Sequence, residues 1–184
     1  MIIELPNYID SETIAEISNS VKPFLPKSKQ HTFNRDGFTV NITQNKELIK
    51  LDNKINNIFV VLQRDILEHR YRPAIKSSGS SDFEYHLYEA GDICRCHSDS
   101  ELSRHPNENI SLIRYASVII HLNTVNEGGE LVFPNQNTKI KTEAGKVVIF
   151  PPYGFYQHYT TPSNENREVV VTWFVYNGIN VIKT

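Results

Sequence analysis

The stretch Tyr88–Asp99, YEAGDICRCHSD, carries a His-x-Asp pair, His97 and Asp99, at the end of a predicted β-strand. Residues two apart on an extended chain point to the same side. The imidazole and the carboxylate would therefore face one point in space, with room for a metal ion between them. A chain of 184 residues with seven histidines can also contain a His-x-Asp pair by chance. Whether this pair indicates a metal site therefore depends on the rest of the chain.

Two cysteines, Cys94 and Cys96, lie in the same stretch. Period-two counting puts them on the strand face opposite to His97 and Asp99. A Cys-x-Cys pair on an extended strand is poorly placed for a disulfide, and two thiols without further cysteines make a poor zinc site. We expect both to be reduced, partly buried small hydrophobic residues.

Downstream of this stretch the sequence has the pattern of short β-strands. Seven β-branched or aromatic segments are bounded by turn residues: Phe83–Asp92, Tyr115–Asn123, Glu130–Phe133, Thr138–Lys141, Lys146–Phe150, Phe155–Thr160 and Glu168–Tyr176. Preceded by helices, such strands predict an α+β fold, a double-stranded β-helix (jelly roll) buttressed by N-terminal helices.

Upstream the pattern is mainly helical. A long amphipathic helix is predicted from about Asn45 to Arg70, and Thr32–Ile42 is predicted to form a hairpin that turns at Asp36-Gly37. We expect one domain over 1–184, with 1–75 as mainly helical support and 83–177 as the jelly-roll core. The segment KSSGSSD (76–82) reads as a linker or lid, and the loop over 100–113 is long enough to be functional.

Composition and charge exclude several classes of protein. Apolar residues make up 39% and charged residues 22%, as in ordinary soluble proteins. A net charge of −2 gives no electrostatic footprint for nucleic acid, and no apolar run reaches membrane-spanning length. The start, MIIELPNYID, lacks the basic region of a signal peptide, so we expect a cytoplasmic protein.

A third ligand is needed if His97 and Asp99 bind iron, since two histidines and one carboxylate form the facial triad that leaves coordination positions open. His158 lies in the late segment FYQHYTTP, and Arg167 opens the last predicted strand. The guanidinium of an arginine can bind a carboxylate bidentately, with a geometry that lysine does not match.

The ordered set resembles the prolyl 4-hydroxylase branch of the iron(II)- and 2-oxoglutarate-dependent dioxygenases. The segment Arg114–Pro134, RYASVIIHLNTVNEGGELVFP, is similar to the strand–turn–strand signature of that branch. Tyr88-x-x-Gly91 before the His-x-Asp pair and AGKVVIF (144–150) after it also match the branch in order and spacing. The resemblance spans essentially the whole chain.

The resemblance implies the roles of individual residues. His97, Asp99 and His158 would ligate iron, and Arg167 would bind the distal carboxylate of 2-oxoglutarate. It further assigns cosubstrate contacts to His121, Tyr88 and Trp173, and substrate contacts to Arg114 and Tyr153.

Two positions depart from the pattern of the branch. His121 stands where relatives commonly have a tyrosine that contacts 2-oxoglutarate, and a neutral imidazole can donate one such hydrogen bond. Cys94 stands where a tyrosine often shapes the substrate side.

The implied activity is hydroxylation of an unactivated C–H bond, with a prolyl residue of a peptide or protein as the leading substrate. Fe(II), 2-oxoglutarate and O2 are the implied cofactors, with ascorbate as a candidate reductant. The alternatives are a hydroxylase of a free amino acid or small natural product, and a metal-binding jelly-roll module without enzymatic activity. Nucleic acid is not an expected partner, because the demethylating branch carries a second arginine where this chain has Trp173.

Overall fold

The computed structural model describes residues 1–64, 79–100, 103–104 and 111–177. Two α-helices, α1 (Ser11–Val21) and α2 (Ile49–Leu62), lie in the N-terminal part. The strands are β1 (Ile3–Leu5), β2 (Gln30–His31), β3 (Asp36–Asn41), β4 (Gly79–Ser80), β5 (Glu84–Tyr88), β6 (Ser103–Arg104), β7 (Ser111–His121), β8 (Leu131–Phe133), β9 (Thr138–Ile140), β10 (Val147–Phe150), β11 (Tyr159–Thr160) and β12 (Arg167–Asn177). Short 3₁₀ turns lie at Lys22–Phe24, Lys46–Leu48, Pro134–Gln136 and Gly154–Tyr156.

The strands form two antiparallel sheets. The major sheet has the order β1-β10-β7-β12-β5-β3-β2, with β4 added to β12 and β6 added to β7. The minor sheet has the order β11-β8-β9. The long strand β12 is central, because it pairs with β7 on one side and with β5 on the other. This arrangement agrees with the predicted jelly-roll type of fold.

The two faces of the major sheet bury different clusters, as period-two alternation requires. On the outer face, β7 and β12 pack against the helices: Val118, Ile120, Val170 and Phe174 lie in one core cluster with Ile17, Ile55 and Phe59. On the inner face, Ile119 and Val169 lie in a second cluster with residues of the minor sheet and β10: Leu131, Phe133, Val148 and Phe150. The interior between the two sheets is therefore separate from the helical support.

The helices follow local signals in the sequence. The Asp10 side chain caps α1 by accepting a hydrogen bond from the Thr13 N–H at 2.7 Å. In α2 the residues Leu51, Ile55, Phe59 and Leu62 are buried at the predicted spacing of three and four. The Phe59 ring lies 5.0 Å from the ring of Phe83, just before β5, and 5.8 Å from that of Phe174 in β12, so α2 packs against the sheet.

A hairpin is present, but it spans 30–41 rather than Thr32–Ile42, and the predicted turn is wrong. The chain turns at 32–35, where the Thr32 hydroxyl accepts a hydrogen bond from the Arg35 N–H, and Asp36 and Gly37 already belong to β3. Gly37 is required inside the strand because a Cβ there would lie 2.7 Å from the Leu87 carbonyl oxygen of β5. The glycine permits close strand pairing and does not make the turn.

Several predictions fall wholly or partly outside the described residues. These are the end of the long helix after residue 64, most of the loop over 100–113, and residues 76–78 of the predicted linker or lid. The next residues, Gly79 and Ser80, pair with β12 as strand β4. Within the described part of the chain, every helix is too short or too polar to span a lipid bilayer.

Candidate active site

The His-x-Asp pair lies outside any continuous strand, so its predicted local geometry is wrong. Strand β5 ends at Tyr88, and the chain turns at Gly91, whose φ of 87° favours glycine. His97 then forms an isolated antiparallel bridge with His158, with N–H···O distances of 3.0 and 2.9 Å. The backbone itself therefore brings two distant imidazoles to one place.

His97, Asp99 and His158 form a cluster that could hold a metal ion, with one ligand atom from each residue and all three atoms within 4.8 Å of one another. The Asp99 carboxylate lies 3.3 Å from Nε2 of His97 and 3.9 Å from Nε2 of His158. It is also buried, and its Oδ2 accepts a hydrogen bond from the Ser117 hydroxyl at 2.6 Å.

Hydrogen bonds to the backbone orient both imidazoles. Nδ1 of His97 lies 2.7 Å from the Arg95 carbonyl oxygen, and Nδ1 of His158 lies 3.2 Å from the Tyr156 carbonyl oxygen. Because a carbonyl oxygen only accepts, Nδ1 carries the proton in each ring and Nε2 keeps its lone pair when the imidazole is neutral. Such support is the usual arrangement around metal-binding histidines.

The titration behaviour of the cluster reflects burial and close opposite charges. Burial raises the pKa of Asp99, but the His97 hydrogen bond, the charge of His158 and the Ser117 hydroxyl together hold it well below its usual range. Burial lowers the pKa of His97, yet its hydrogen bond to Asp99, its contact with Cys94 and its hydrogen bond to the Arg95 carbonyl oxygen together outweigh burial and raise the pKa to about 11. For His158 burial prevails and the pKa is lowered. A metal ion would displace the proton from His97.

Arg167 is buried beneath this cluster at the start of β12, with 4% of its surface exposed. Its Nε donates to the Thr142 hydroxyl at 3.3 Å, and its guanidinium carbon lies 5.1 Å from the centre of the Tyr88 ring. Among the described residues, Asp and Glu side chains make no ion pair with Arg167. A buried unpaired cation is unfavourable, so the site is suited to an anionic ligand.

His121 is fully buried near Arg167, in register with Val169 of β12. Neither ring nitrogen has a hydrogen-bond partner among the described residues. Burial, followed by the positive charges of Arg167 and Lys146, lowers its pKa well below the usual value. The ring is therefore neutral at pH 7 and keeps one N–H donor without a partner.

One cavity connects the metal-binding cluster with Arg167. Every second residue of β12 from Arg167 to Trp173 lines it, together with Tyr88 and Ile119. Arg114 lies behind this wall: its guanidinium stacks 3.8 Å from the Trp173 ring centre and donates to the Asp99 carbonyl oxygen at 3.2 Å. Tyr153 is half exposed and is not among the residues that line the cavity.

The Cys94 side chain was predicted to point away from His97 and Asp99, and this prediction is wrong. Its Sγ lies 3.8 Å from Nδ1 of His97, on the same side as the metal-binding cluster, and it lines the cavity. Period-two counting fails here because the chain leaves the strand after Tyr88. Cys96 is exposed rather than partly buried, and both cysteines are free thiols, as expected.

The cavity also has charged and titratable residues that were not predicted from the sequence: Arg35 and His86 in its lining, and Glu84 beside them. Glu84 contacts both of the lining residues. Alternation along β5 from Tyr88 could have placed Glu84 and His86 on the inner face. Arg35 comes from the hairpin turn, where no periodic pattern predicts a direction.

Comparison with known proteins gives one family and one fold. Residues 83–175 match the family model described as the 2OG-Fe(II) oxygenase superfamily. The structure is similar to the viral collagen prolyl hydroxylase of Paramecium Bursaria Chlorella virus-1 in its 2OG complex, with 18% identity, 95% of each chain covered and a TM-score of 0.68. No curated protein matches the sequence.

Two further solved structures show the same fold. A Pseudomonas putida prolyl-4-hydroxylase is 15% identical, with 96% of this chain and 93% of that chain covered and a TM-score of 0.66. A Trichoplax adhaerens prolyl hydroxylase, solved with a peptide of the hypoxia inducible factor oxygen degradation domain, is 18% identical, with 95% and 83% covered and a TM-score of 0.68. The predicted jelly-roll fold is thereby confirmed.

Proposed function

Since the chain belongs to the 2OG-Fe(II) oxygenase superfamily and is a dioxygenase that uses Fe(II), 2-oxoglutarate and O2, we propose that it hydroxylates a prolyl residue in a peptide or protein. One observation carries the assignment of the reaction to this cavity. A cluster of two imidazoles and one carboxylate shares the cavity with a buried arginine that has no anionic partner among the described residues.

In this proposal His97, Asp99 and His158 hold the metal. Both imidazoles present Nε2 to the Asp99 carboxylate, and the three donor types are those of the facial triad of non-haem iron oxygenases. Bound there, Fe(II) would supply the activation of O2, for which the three protein ligands leave coordination positions open. The Ser117 hydroxyl orients the Asp99 carboxylate, and backbone carbonyl oxygens orient the two imidazoles.

Arg167 would bind the distal carboxylate of 2-oxoglutarate, and Thr142 positions its guanidinium through Nε. The resulting ion pair would neutralise a cation that the fold buries alone, in a low-dielectric site where the attraction is strong. His121 is neutral and its ring nitrogens have no partner in the described part of the chain, so it would donate one hydrogen bond to the same carboxylate. His121 would thus take the role of the tyrosine that the prolyl 4-hydroxylase branch commonly has at this position.

The substrate would enter from the side of Trp173, which lines the cavity and is backed by Arg114, whose guanidinium also donates to the Asp99 carbonyl oxygen. The prolyl assignment is supported by the fold shared with three prolyl hydroxylases. Apolar side chains such as Ile119, Leu131 and Val171 line the cavity and would exclude water around the reacting carbon.

The test is formation of succinate from 2-oxoglutarate with Fe(II), alone and with proline-containing peptides, with mass spectrometry to detect one added oxygen. We expect His97→Ala to lose metal binding and turnover, and Arg167→Ala to keep the metal but lose turnover. Lys139→Ala removes an exposed cation of β9 and serves as the control. Oxygen added only to free amino acids would refute the peptide substrate, and full turnover in His97→Ala would refute the site.

A further inference from the structure

Arg35 and His86 line the cavity on the side of β3 and β5, and Glu84 lies behind them. We call these three residues the Arg35 cluster. Nη2 of Arg35 lies 3.6 Å from the Glu84 carboxylate and donates to the Thr39 hydroxyl at 3.2 Å. These two contacts hold the guanidinium at the cavity wall, although it reaches the wall from a hairpin turn.

The Glu84 carboxylate has two partners within the cluster, His86 and Arg35. Nε2 of His86 lies 2.9 Å from Glu84 and donates to it, while Nδ1 of the same ring accepts from the Tyr88 hydroxyl at 3.4 Å. Burial lowers the pKa of His86, so the ring is neutral and carries its single proton on Nε2. Because Glu84 is also absent from the cavity lining, the cluster presents a cation to the cavity and keeps its anion behind.

Arg35 and Trp173 have hydrogen-bond donors without a partner among the described residues. Of the Arg35 guanidinium nitrogens, only Nη2 contacts other side chains in the described residues, which leaves Nη1 and Nε available. The Nε1–H of Trp173 is buried on the cavity side of β12 and also has no partner in the described part of the chain. A buried donor without an acceptor is unfavourable, so the Trp173 Nε1–H, unpartnered among the described residues, indicates a ligand that brings an acceptor. The Arg35 side chain is 26% exposed, so a ligand in the cavity can reach its remaining donors.

We propose that Arg35 is a specificity-determining residue that binds a carboxylate of the substrate, with Glu84 and His86 as the residues that position it. The inference rests on the proposed function, since it takes the ligand of this wall to be the hydroxylated substrate. A held guanidinium fork with free donors is suited to a carboxylate. That carboxylate can belong to an acidic side chain beside the reacting residue or to the α-carboxylate of a free amino acid.

The test uses pairs of ligands that differ only in charge. Capped peptides with glutamate directly before or after proline are compared with the same peptides carrying glutamine, and free L-proline is compared with L-prolinamide. Binding is followed by the fluorescence of Trp173, which is the single tryptophan of the chain and lines the cavity. The protein carries 2-oxoglutarate and Mn(II) in place of Fe(II), so that binding is read without turnover.

We expect one charged ligand to bind about tenfold or more tightly than its neutral partner, and Arg35→Gln to remove this preference. Arg35→Lys keeps the charge but loses the fork, so it should retain only part of the preference. Glu84→Gln should weaken it through loss of positioning, while Lys139→Gln should leave it unchanged. Preference within the peptide pairs identifies an acidic peptide, and preference for L-proline identifies a free amino acid.

Equal binding of every charged and neutral pair, including no binding by any of them, would overturn the role of Arg35. So would a charge preference that survives in Arg35→Gln. Succinate formation with Fe(II) in the absence of substrate tests the proposed function separately, because it needs the metal and 2-oxoglutarate but not the Arg35 cluster. The inference about Arg35 can therefore fail while the oxygenase assignment stands.

Discussion

Removing the Ser117 hydroxyl tests whether the support of Asp99 determines metal affinity. The hydroxyl donates to Asp99 Oδ2 at 2.6 Å, and both residues are buried. Hydrogen bonds to charged groups contribute about 1.5–3 kcal/mol, which corresponds to about a 10- to 100-fold change in an equilibrium constant. Loss of outer hydrogen bonds to metal ligands weakens affinity by a similar factor of about 10–100.

We therefore expect Ser117→Ala to weaken Mn(II) or anaerobic Fe(II) binding by about 10- to 100-fold in calorimetric titration. The variant should also bind metal less well at low pH than the wild-type protein does. The hydroxyl helps to lower the pKa of Asp99, so its removal raises that pKa, and protons compete for the carboxylate at a higher pH.

Ser98→Ala is the matched control, because Ser98 lies beside Asp99 in sequence but, among the described residues, its hydroxyl contacts only that of Ser100. Circular dichroism and thermal melting establish that both variants remain folded. Metal affinity within about twofold of wild type in a folded Ser117→Ala protein would refute the reasoning, since that hydrogen bond would then contribute nothing.

Three further changes have defined outcomes. Arg167→Met removes a buried cation that lacks an anionic partner in the described residues. Without 2-oxoglutarate, thermal melting should show the variant to be more stable by about 1–2 kcal/mol (about 2–8 °C), and 2-oxoglutarate should no longer stabilise it. A melting temperature below that of the wild-type protein would contradict this. Phe59→Ala leaves a cavity where the Phe59 ring packs against Phe83 and should reduce the free energy of unfolding by about 3–5 kcal/mol in denaturant titration. A loss below about 1 kcal/mol would contradict this prediction. Gly128→Ala places a Cβ 1.9 Å from the Pro162 carbonyl oxygen at a φ of 75° and should lower the free energy of unfolding by more than about 1–3 kcal/mol. The control Gly154→Ala, whose Cβ meets open space, should have little effect. Equal melting temperatures of the two variants would show that the turn at Gly128 relaxes.

The sequence predicted the members of the metal-binding cluster better than their local geometry. Residue chemistry, order along the chain and the family resemblance selected His97, Asp99, His158 and Arg167, and the structure brings these four side chains to one cavity. The strand assumed for His97 and Asp99 is absent, because a turn at Gly91 ends the regular alternation. The cluster still forms, since the pairing of His97 with His158 is a long-range backbone contact.

The missed residues show what sequence patterns can and cannot supply. His86 and Glu84 follow from alternation on β5 and were within reach of period-two counting. Arg35 could not be predicted in this way, because its approach to the cavity depends on where the hairpin turns. The turn lies at 32–35 and not at the predicted Asp36-Gly37. A glycine in a strand signals close backbone approach as readily as a turn, and only the pairing of β3 with β5 distinguishes the two.

The paired backbone hydrogen bonds between His97 and His158 have a consequence for how iron is exchanged. Joining segments so far apart in sequence costs loop entropy, and these two backbone hydrogen bonds help to offset that cost without using any metal-ligand atom. The apoprotein should therefore remain folded under chelation and take up iron again in a single second-order step, unlike small zinc domains that unfold without their metal. Iron scarcity would then switch off activity reversibly and leave the amount of folded protein unchanged.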